Sequence, residues 1–232
     1  MTQSRFHNCS RCPPLTSLLK NIPLFQELDD AECATIEGLA VDKAAPRGTT
    51  ILGEGDDSDS LFIIVEGRVK VFIGDEDGRE ITLKLLGPGE FFGEMSLIDR
   101  QPRSASVWAM ENTTLKVLSY QAFQDCLERS PAIGMNVMTA LARRLRDADR
   151  KIANLALMDV YGRVAATLLE LAIDTDGKLV VGEKLSQQDI ANMVGASREM
   201  VNRILKDLSE RGFISIEAKQ ITIHDDNLPP SF

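Results

Sequence analysis

Apolar positions along this 232-residue chain change their period twice. Between Val41 and Tyr120 they fall in short runs: Thr49–Leu52, Leu61–Val65, Arg68–Ile73, Ile81–Leu86, Ser104–Met110 and Thr114–Leu118. Gly67, Gly74, Gly78, Gly87 and Gly89 occupy the breaks. Many short strands with glycine turns predict a sandwich or barrel. Upstream, Asp29 or Asp30 caps a predicted helix that runs to about Leu39. Leu15–Leu19 and Pro23–Phe25 read as a short helix and a turn, and residues 1–14, aperiodic and ending in Pro-Pro, as a flexible arm.

After Tyr120 the period becomes helical. Gln121–Arg129 is a short predicted helix, and Pro131 opens a long one in the first-turn position, where its missing N–H costs little. Val137, Leu141, Leu145, Ala148, Ile152 and Leu155 recur at steps of 4, 4, 3, 4 and 3. Their mean is near the 3.5 of a coiled-coil seam, so a symmetric dimer is expected. The plain alternative is a helix that packs on its own β domain. From Ile133 to Met158 this helix would span roughly 39 Å. Asp159 is a plausible cap and hinge, Val160–Ile173 a further helix, Asp174–Gly177 a turn and Lys178–Val181 a strand.

Ser186-Gln187-Gln188-Asp189 has the shape of a capping box. A helix follows to Val194, a turn at Gly195-Ala196-Ser197, and a second helix over Arg198–Arg211 ended by Gly212. Helix, tight glycine-containing turn, helix is the helix-turn-helix pattern. Val201, Ile204, Leu205 and Leu208 form its inner face, and Arg198, Glu199, Asn202 and Arg203 the outer one. Phe213–Glu217 and Gln220–His224 alternate around Ala218-Lys219 as a small β wing. The predicted fold class is therefore α+β: a β-roll over residues 15–130, a dimerisation helix over 131–158 and a winged helix-turn-helix over 159–232.

Hydrophobic residues make up 44% and charged residues 26% of the chain, ordinary for a soluble protein. No apolar run approaches the roughly 20 residues that span a bilayer, and Met1–Asn8 lacks the apolar segment of a signal peptide. A cytoplasmic protein with no membrane partner is expected. Net charge is -9, which argues against general affinity for polyanions. Residues 160–232 carry eight basic against eleven acidic groups, whereas Ser197–Leu208 carries three against two. The expectation is weak nonspecific binding to DNA and reliance on sequence and dimerisation.

Four cysteines are present. Cys9-x-x-Cys12, with His7 nearby, could begin a metal or iron–sulfur site. The plain reading is a frayed tail, and no metal is expected. Cys33 falls beside the polar side of its helix and Cys126 in the helix after the last strand; both read as small core residues. No Ser-His-Asp, Cys-His or His-Glu-x-x-His set is present, so no enzyme is expected.

The stretch Gly93–Val107 carries the most chemistry. Gly93 lets backbone approach a ligand closely. Glu94 can accept from a sugar hydroxyl, Arg103 offers a planar fork to phosphate oxygens, and Ser104 adds a hydroxyl and an N–H. Phe92-Gly93-Glu94-Met95-Ser96-Leu97 followed by Pro102-Arg103-Ser104-Ala105 resembles the phosphate-binding cassette of cyclic-nucleotide-binding domains. The run Ile51–Gly67 resembles the first half of the same β-roll. The resemblance implies contacts to a cyclic nucleotide from Gly93, Glu94, Met95, Ser96, Arg103 and Ser104.

Ser186–Leu208 resembles the reading head of the cAMP receptor protein and fumarate–nitrate reductase regulator family of bacterial transcription factors. That resemblance covers roughly Leu15 to His224. It implies a homodimer on a near-palindromic double-stranded DNA site, RNA polymerase as a further partner, Arg198, Glu199 and Arg203 reading bases, and Ser186 and Gln188 on phosphates. Ser197 and Asn202 complete the expected DNA set. Asn154-Leu155-Ala156 with Asp159 looks like the hinge of the cAMP-responsive branch.

Ala148 and Asp149 stand where cAMP-responsive members carry the adjacent Thr and Ser that contact adenine. Asp149 can accept from adenine's amine, and fits guanine better because N1–H and N2–H₂ lie side by side. Arg144-x-x-Asp147 and Arg146-x-x-Asp149 have a spacing similar to cyclic di-GMP sites; plain i,i+3 ion pairs are the alternative. The expected effector is thus a cyclic nucleotide, cAMP first and cyclic di-GMP second, with Arg146 and Asp149 added to the ligand set. Two rival readings keep the scaffold: a redox or gas sensor using Cys9 and Cys12, and a ligand-independent regulator.

Overall fold

A computed structural model describes residues 22, 25, 29–182, 185–218 and 220–224. The arm, the helix at Leu15–Leu19, Cys9 and Cys12 lie outside the described residues. The elements run α1 (Asp30–Leu39), β1 (Val41–Ala45), β2 (Thr50–Leu52), β3 (Ser60–Glu66), β4 (Val69–Gly74), β5 (Glu80–Leu86), β6 (Phe91–Phe92), α2 (Glu94–Asp99), β7 (Ser106–Ala109) and β8 (Thr113–Ser119). They continue α3 (Tyr120–Arg129), α4 (Pro131–Leu157), α5 (Val160–Glu170), β9 (Ala172–Thr175), β10 (Lys178–Val181), α6 (Gln187–Val194), α7 (Arg198–Glu210), β11 (Ile214–Glu217) and β12 (Gln220–Ile223).

Two compact units result. One holds the described chain up to Val71 together with Leu85–Ala142; the other holds Phe72–Lys84 and the described chain from Arg143 onward.

In the first unit the antiparallel order β1-β8-β3-β6 is built on a long β3–β8 pairing, Leu61 opposite Leu118 and Ile64 opposite Leu115. The remaining β-roll strands are ordered β2-β7-β4-β5. Inner side chains of both sheets, among them Phe62, Ile64, Val69, Phe92, Val107 and Leu115, form one apolar core. The Phe62 and Phe92 rings stack at 5.1 Å. A second core joins α1, α3 and the start of α4 to the other face of β3 through Phe25, Leu61, Ile63, Phe123 and Ile133.

Both described cysteines, Cys33 and Cys126, belong to that second core. Cys33 therefore turns inward, not toward the polar side of its helix. A free thiol behaves as a small apolar side chain and gains more from this core than from water.

The long helix corrects the expected seam. Ile133 and Val137 are buried in the first unit's own core, with Ala140 and Leu141 packed against it. Another row, Met135, Met138, Ala142, Leu145, Asp149, Ile152 and Ala156, is exposed throughout. Its steps of 3, 4, 3, 4, 3 and 4 hold the heptad period over the whole helix. The predicted stripe therefore ran from the core-facing row at Val137 and Leu141 to the exposed row at Leu145 and Ile152. A helix carrying two apolar rows reads as one when only spacing is scored.

In the second unit Asp159 caps α5, its carboxylate accepting from the Gly162 N–H at 2.8 Å. This helix stops at Glu170, short of the expected Ile173. Ala172–Thr175 pairs instead with β10, Thr175 opposite Lys178. Asp176 and Gly177 between them have φ of 55° and 77°. An Asp-Gly pair at positive φ makes the two-residue hairpin turn whose twist matches the strands. With the β11–β12 wing this hairpin forms a four-stranded sheet, β11-β12-β10-β9.

Residues 72–84, the outer part of the β4–β5 hairpin, are held by this same unit. Lys84 Nζ lies 3.7 Å from an Asp147 carboxylate oxygen, Lys151 donates to the Thr82 carbonyl, and Asn192 donates to the Glu80 carboxylate at 3.2 Å.

Candidate functional site

The cassette begins where β6 ends. Gly93 sits at φ 83° and opens α2, the short helix Glu94–Asp99. That helix was not foreseen, because six residues between two left-handed ends (Gly93 and Arg100, φ 56°) leave no periodic signal. Glu94 is 1% exposed in its first turn, Ser96 is buried, and Met95 is exposed.

Arg103 is a buried cation, 4% exposed. Its Nε donates to Ser58 Oγ at 2.7 Å. Nη1 donates to the Gly93 carbonyl and to Ser96 Oγ, both at 2.6 Å, and Nη2 to the Ser60 carbonyl at 2.8 Å. The face of Phe62 lies 5.9 Å away. Burial pushes the guanidinium below its usual pKa, and the negative charges of Asp59, Glu94 and Asp56 act against that shift. A cation this deep persists only when hydrogen-bonded and electrostatically compensated; both conditions are met here. A solvated surface role for Arg103 is excluded.

Of the expected ligand residues, Gly93, Ser96 and Arg103 are thus in direct contact. Ser104 is exposed beside Arg103, its hydroxyl 3.6 Å from Met95 Sδ. Ser58 and Ser60 were missed: they are 45 and 43 positions from Arg103 and meet it only because the β2–β3 connection folds over the cassette. Backbone bonds fix that loop, Gly55 N–H to the Arg103 carbonyl at 2.8 Å and Arg103 N–H to the Asp56 carbonyl at 3.0 Å.

Arg146 and Asp149 lie on α4 in the second unit, both exposed. Asp149 occupies the middle of the exposed heptad row. Asp147 pairs forward with Arg150 at 2.5 Å, an i,i+3 pair other than the expected Arg144–Asp147 and Arg146–Asp149.

The reading head follows the predicted pattern closely. Ser186 and Asp189 form the capping box, with Ser186 N–H donating to the Asp189 carboxylate at 2.8 Å. Gly195 turns at φ 63°, and Ser197 caps α7 by accepting from the Met200 N–H at 3.2 Å. Val201, Ile204, Leu205 and Leu208 are buried, while Arg198, Glu199, Asn202 and Arg203 are exposed. Two expected contacts carry prior engagements: the Ser186 hydroxyl donates to Asp189, and Asn202 Oδ1 accepts from Gln187 Nε2 at 2.7 Å. Gln188 is exposed and donates to Asn192 at 2.7 Å.

Arg163 was also missed. Its Nε donates to the Val194 carbonyl at 2.8 Å and its Nη1 to the Met158 carbonyl at 3.1 Å. It therefore ties the ends of α4 and α6 together through carbonyls those helices cannot satisfy. Arginines in helices give no sequence signal for that task.

A buried phosphate-type cassette in a β-roll, joined through a long helix to a winged helix-turn-helix, defines a two-part ligand-sensing and DNA-reading architecture. Family models agree: residues 42–130 match the cyclic nucleotide-binding domain and residues 162–227 the Crp-like helix-turn-helix domain. The CRP-like cAMP-activated global transcriptional regulator of Mycobacterium tuberculosis is 36% identical over 215 residues, covering 91% of this chain and 96% of that protein. The cAMP-activated global transcriptional regulator CRP of Pasteurella multocida is 38% identical over 186 residues, 77% of this chain and 88% of that protein. Among solved structures, the c-di-GMP responsive global regulator CLP of Xanthomonas campestris superposes with a TM-score of 0.74 at 28% identity, covering 85% of this chain and all of that one. The chain belongs to the Crp/Fnr family of transcriptional regulators.

No helix among the described residues is long and apolar enough to cross a membrane. No group of three or more His, Cys, Asp or Glu able to hold a metal occurs among the described residues.

Proposed function

We propose that this regulator works as a cytoplasmic homodimer that binds a cyclic nucleotide with its phosphate on Arg103 and Ser104. It then sets two recognition helices on a near-palindromic DNA site, where RNA polymerase is its further partner. The observation that carries this reading is that the Arg103 guanidinium and the Glu94 carboxylate are both buried, with Glu94 near enough for its charge to act on Arg103. A cation suited to a phosphodiester thus lies near an acceptor suited to a ribose hydroxyl.

The exposed row from Met135 to Ala156 is the surface we assign to the twofold partner, since its heptad period suits a second copy of itself. Two α7 helices related by a twofold axis would address half-sites about one DNA turn apart. Arg198, Glu199 and Arg203 are assigned to base edges, arginine to guanine and Glu199 to cytosine N4. Ser186, Gln188, Ser197 and Asn202 are assigned to the DNA backbone and its flanks.

Cyclic AMP is the effector we favour, supported by the relatives at 36% and 38% identity named as cAMP-activated. Cyclic di-GMP is a second reading, favoured by Asp149, whose carboxylate suits guanine, and by the c-di-GMP-responsive structural relative. Arg146 and Asp149 are the residues assigned to the base in either case.

A ligand shifts the equilibrium only if it binds the DNA-competent arrangement more tightly. Gel-shift titration on a selected operator with no ligand, cAMP or cyclic di-GMP is expected to show tighter binding with one of the two. Equal affinity in all three conditions would reject ligand gating.

A further inference from the structure

The donors around Arg103 leave little room for a phosphate in the free protein. A guanidinium has five N–H groups, and four of them already meet Ser58 Oγ, the Gly93 and Ser60 carbonyls and Ser96 Oγ. Two-oxygen recognition of a phosphate needs a pair of parallel N–H groups on one edge of the fork. On the Nε edge, Nε itself is taken by the Ser58 hydroxyl.

The other acceptors differ in kind from Ser58. Gly93 and Ser60 offer main-chain carbonyls fixed beside β6 and β3, and Ser96 is buried. Ser58 is an exposed side chain on the β2–β3 connection, so its hydroxyl can rotate to water. The loop that carries it does not depend on that hydroxyl. Gly53 N–H donates to the Asp56 carboxylate at 2.9 Å, and the Gly55 and Asp56 backbone bonds to Arg103 hold it as well.

We propose that Ser58 stores Arg103 in the free protein and sets nucleotide affinity by competing with the ligand phosphate for the Nε edge. On binding, a phosphate oxygen replaces Ser58 Oγ at Nε, and the serine hydroxyl is released to solvent. Without Ser58, the Nε–H of the free protein exchanges a charge-assisted hydrogen bond for water, a loss the bound state does not carry because its Nε meets the phosphate. Removing the hydroxyl therefore tightens the ligand, by about tenfold for one charge-assisted hydrogen bond lost only from the free protein. This inference rests on the reading of Arg103 as the phosphate ligand.

The test is isothermal titration of full-length wild type, Ser58→Ala and Ser58→Thr with cAMP and with cyclic di-GMP, alongside thermal unfolding with and without nucleotide. Ser58→Ala is expected to bind about tenfold more tightly and to melt lower only when free, the difference closing at saturating nucleotide. Ser58→Thr, which keeps the hydroxyl, is expected to return both values toward wild type. Equal or weaker binding by Ser58→Ala, with wild type binding normally, overturns the proposal alone. Wild type binding neither nucleotide overturns the effector reading and this proposal with it.

Discussion

Arg103 Nη1 lies 2.6 Å from the carbonyl oxygen of Gly93, and a Cβ added to Gly93 would stand 2.7 Å from that same nitrogen and 2.8 Å from the Ser60 carbonyl. The glycine thus makes room for the protein's own arginine, not only for an incoming ligand. At φ 83° a side chain is also strained by its backbone, at a cost of roughly 1–2 kcal/mol. Gly93→Ala is expected to displace Arg103, to weaken cyclic-nucleotide binding at least about tenfold and to lower the melting temperature by several degrees. Calorimetry and thermal unfolding check this; wild-type affinity would show that Arg103 tolerates another seat.

What could be read in the chain, and what could not, follows from how local each signal is. Gly93, Glu94, Arg103 and Ser104 announce themselves within a dozen residues, as does the capping box of Ser186 and Asp189. Val201, Ile204, Leu205 and Leu208 report their burial through helical spacing alone. Ser58 has no such signal, since its role arises from strand order that brings positions 45 apart together. The turn at Asp176-Gly177 is legible, but the strand before it is not, because the helical pattern of apolar residues continues through Ile173. The two rows of α4 defeated a single-stripe reading, because Ile133 and Val137 serve the first unit while Leu145 and Ile152 do not.

That separation makes the dimer seam testable without touching either core. Leu145 and Ile152 are each 64% exposed in the single chain, so a charge there costs the protomer little. Across a twofold seam the same charges would face each other in a desolvated interface. Leu145→Glu with Ile152→Glu is expected to leave the melting profile of the isolated chain unchanged and to convert dimer to monomer in analytical ultracentrifugation. Operator affinity should fall by more than about a hundredfold, since the second half-site contact is lost. A dimer of wild-type strength would place the interface elsewhere.

Cys126 offers a pH-dependent readout of the first unit. Burial pushes its thiol up to about 11, with the negative charge of Asp125 adding to the shift and Arg129 opposing it. The unfolded thiol ionises near its ordinary value of 9.0, so between pH 9 and pH 11 the unfolded chain binds fewer protons than the folded one. Stability contributed by this group is therefore full below about pH 9 and declines as pH rises toward 11. Alkylation follows the same sign, because only the thiolate reacts. At pH 8 Cys126 should remain unmodified by iodoacetamide in the folded protein and react once urea is added, as followed by peptide mass spectrometry. Rapid labelling of the folded chain would show that the α3 core opens readily.

The reading head carries a charge opposition that separates its two kinds of contact. Arg203 and Glu199 are both exposed on α7, yet the first attracts every phosphate in reach and the second repels them. If Glu199 reads a cytosine amino group, its loss removes one favourable contact at the operator and one unfavourable charge everywhere else. Glu199→Ala is then expected to strengthen binding to random duplex while weakening the operator, narrowing the ratio between them. Arg203→Ala should instead cost the operator about 1–3 kcal/mol through a lost guanine contact. Fluorescence anisotropy over a range of salt concentrations on both duplexes distinguishes these effects. A Glu199→Ala variant that gains equally on operator and random DNA would mean that Glu199 faces no base.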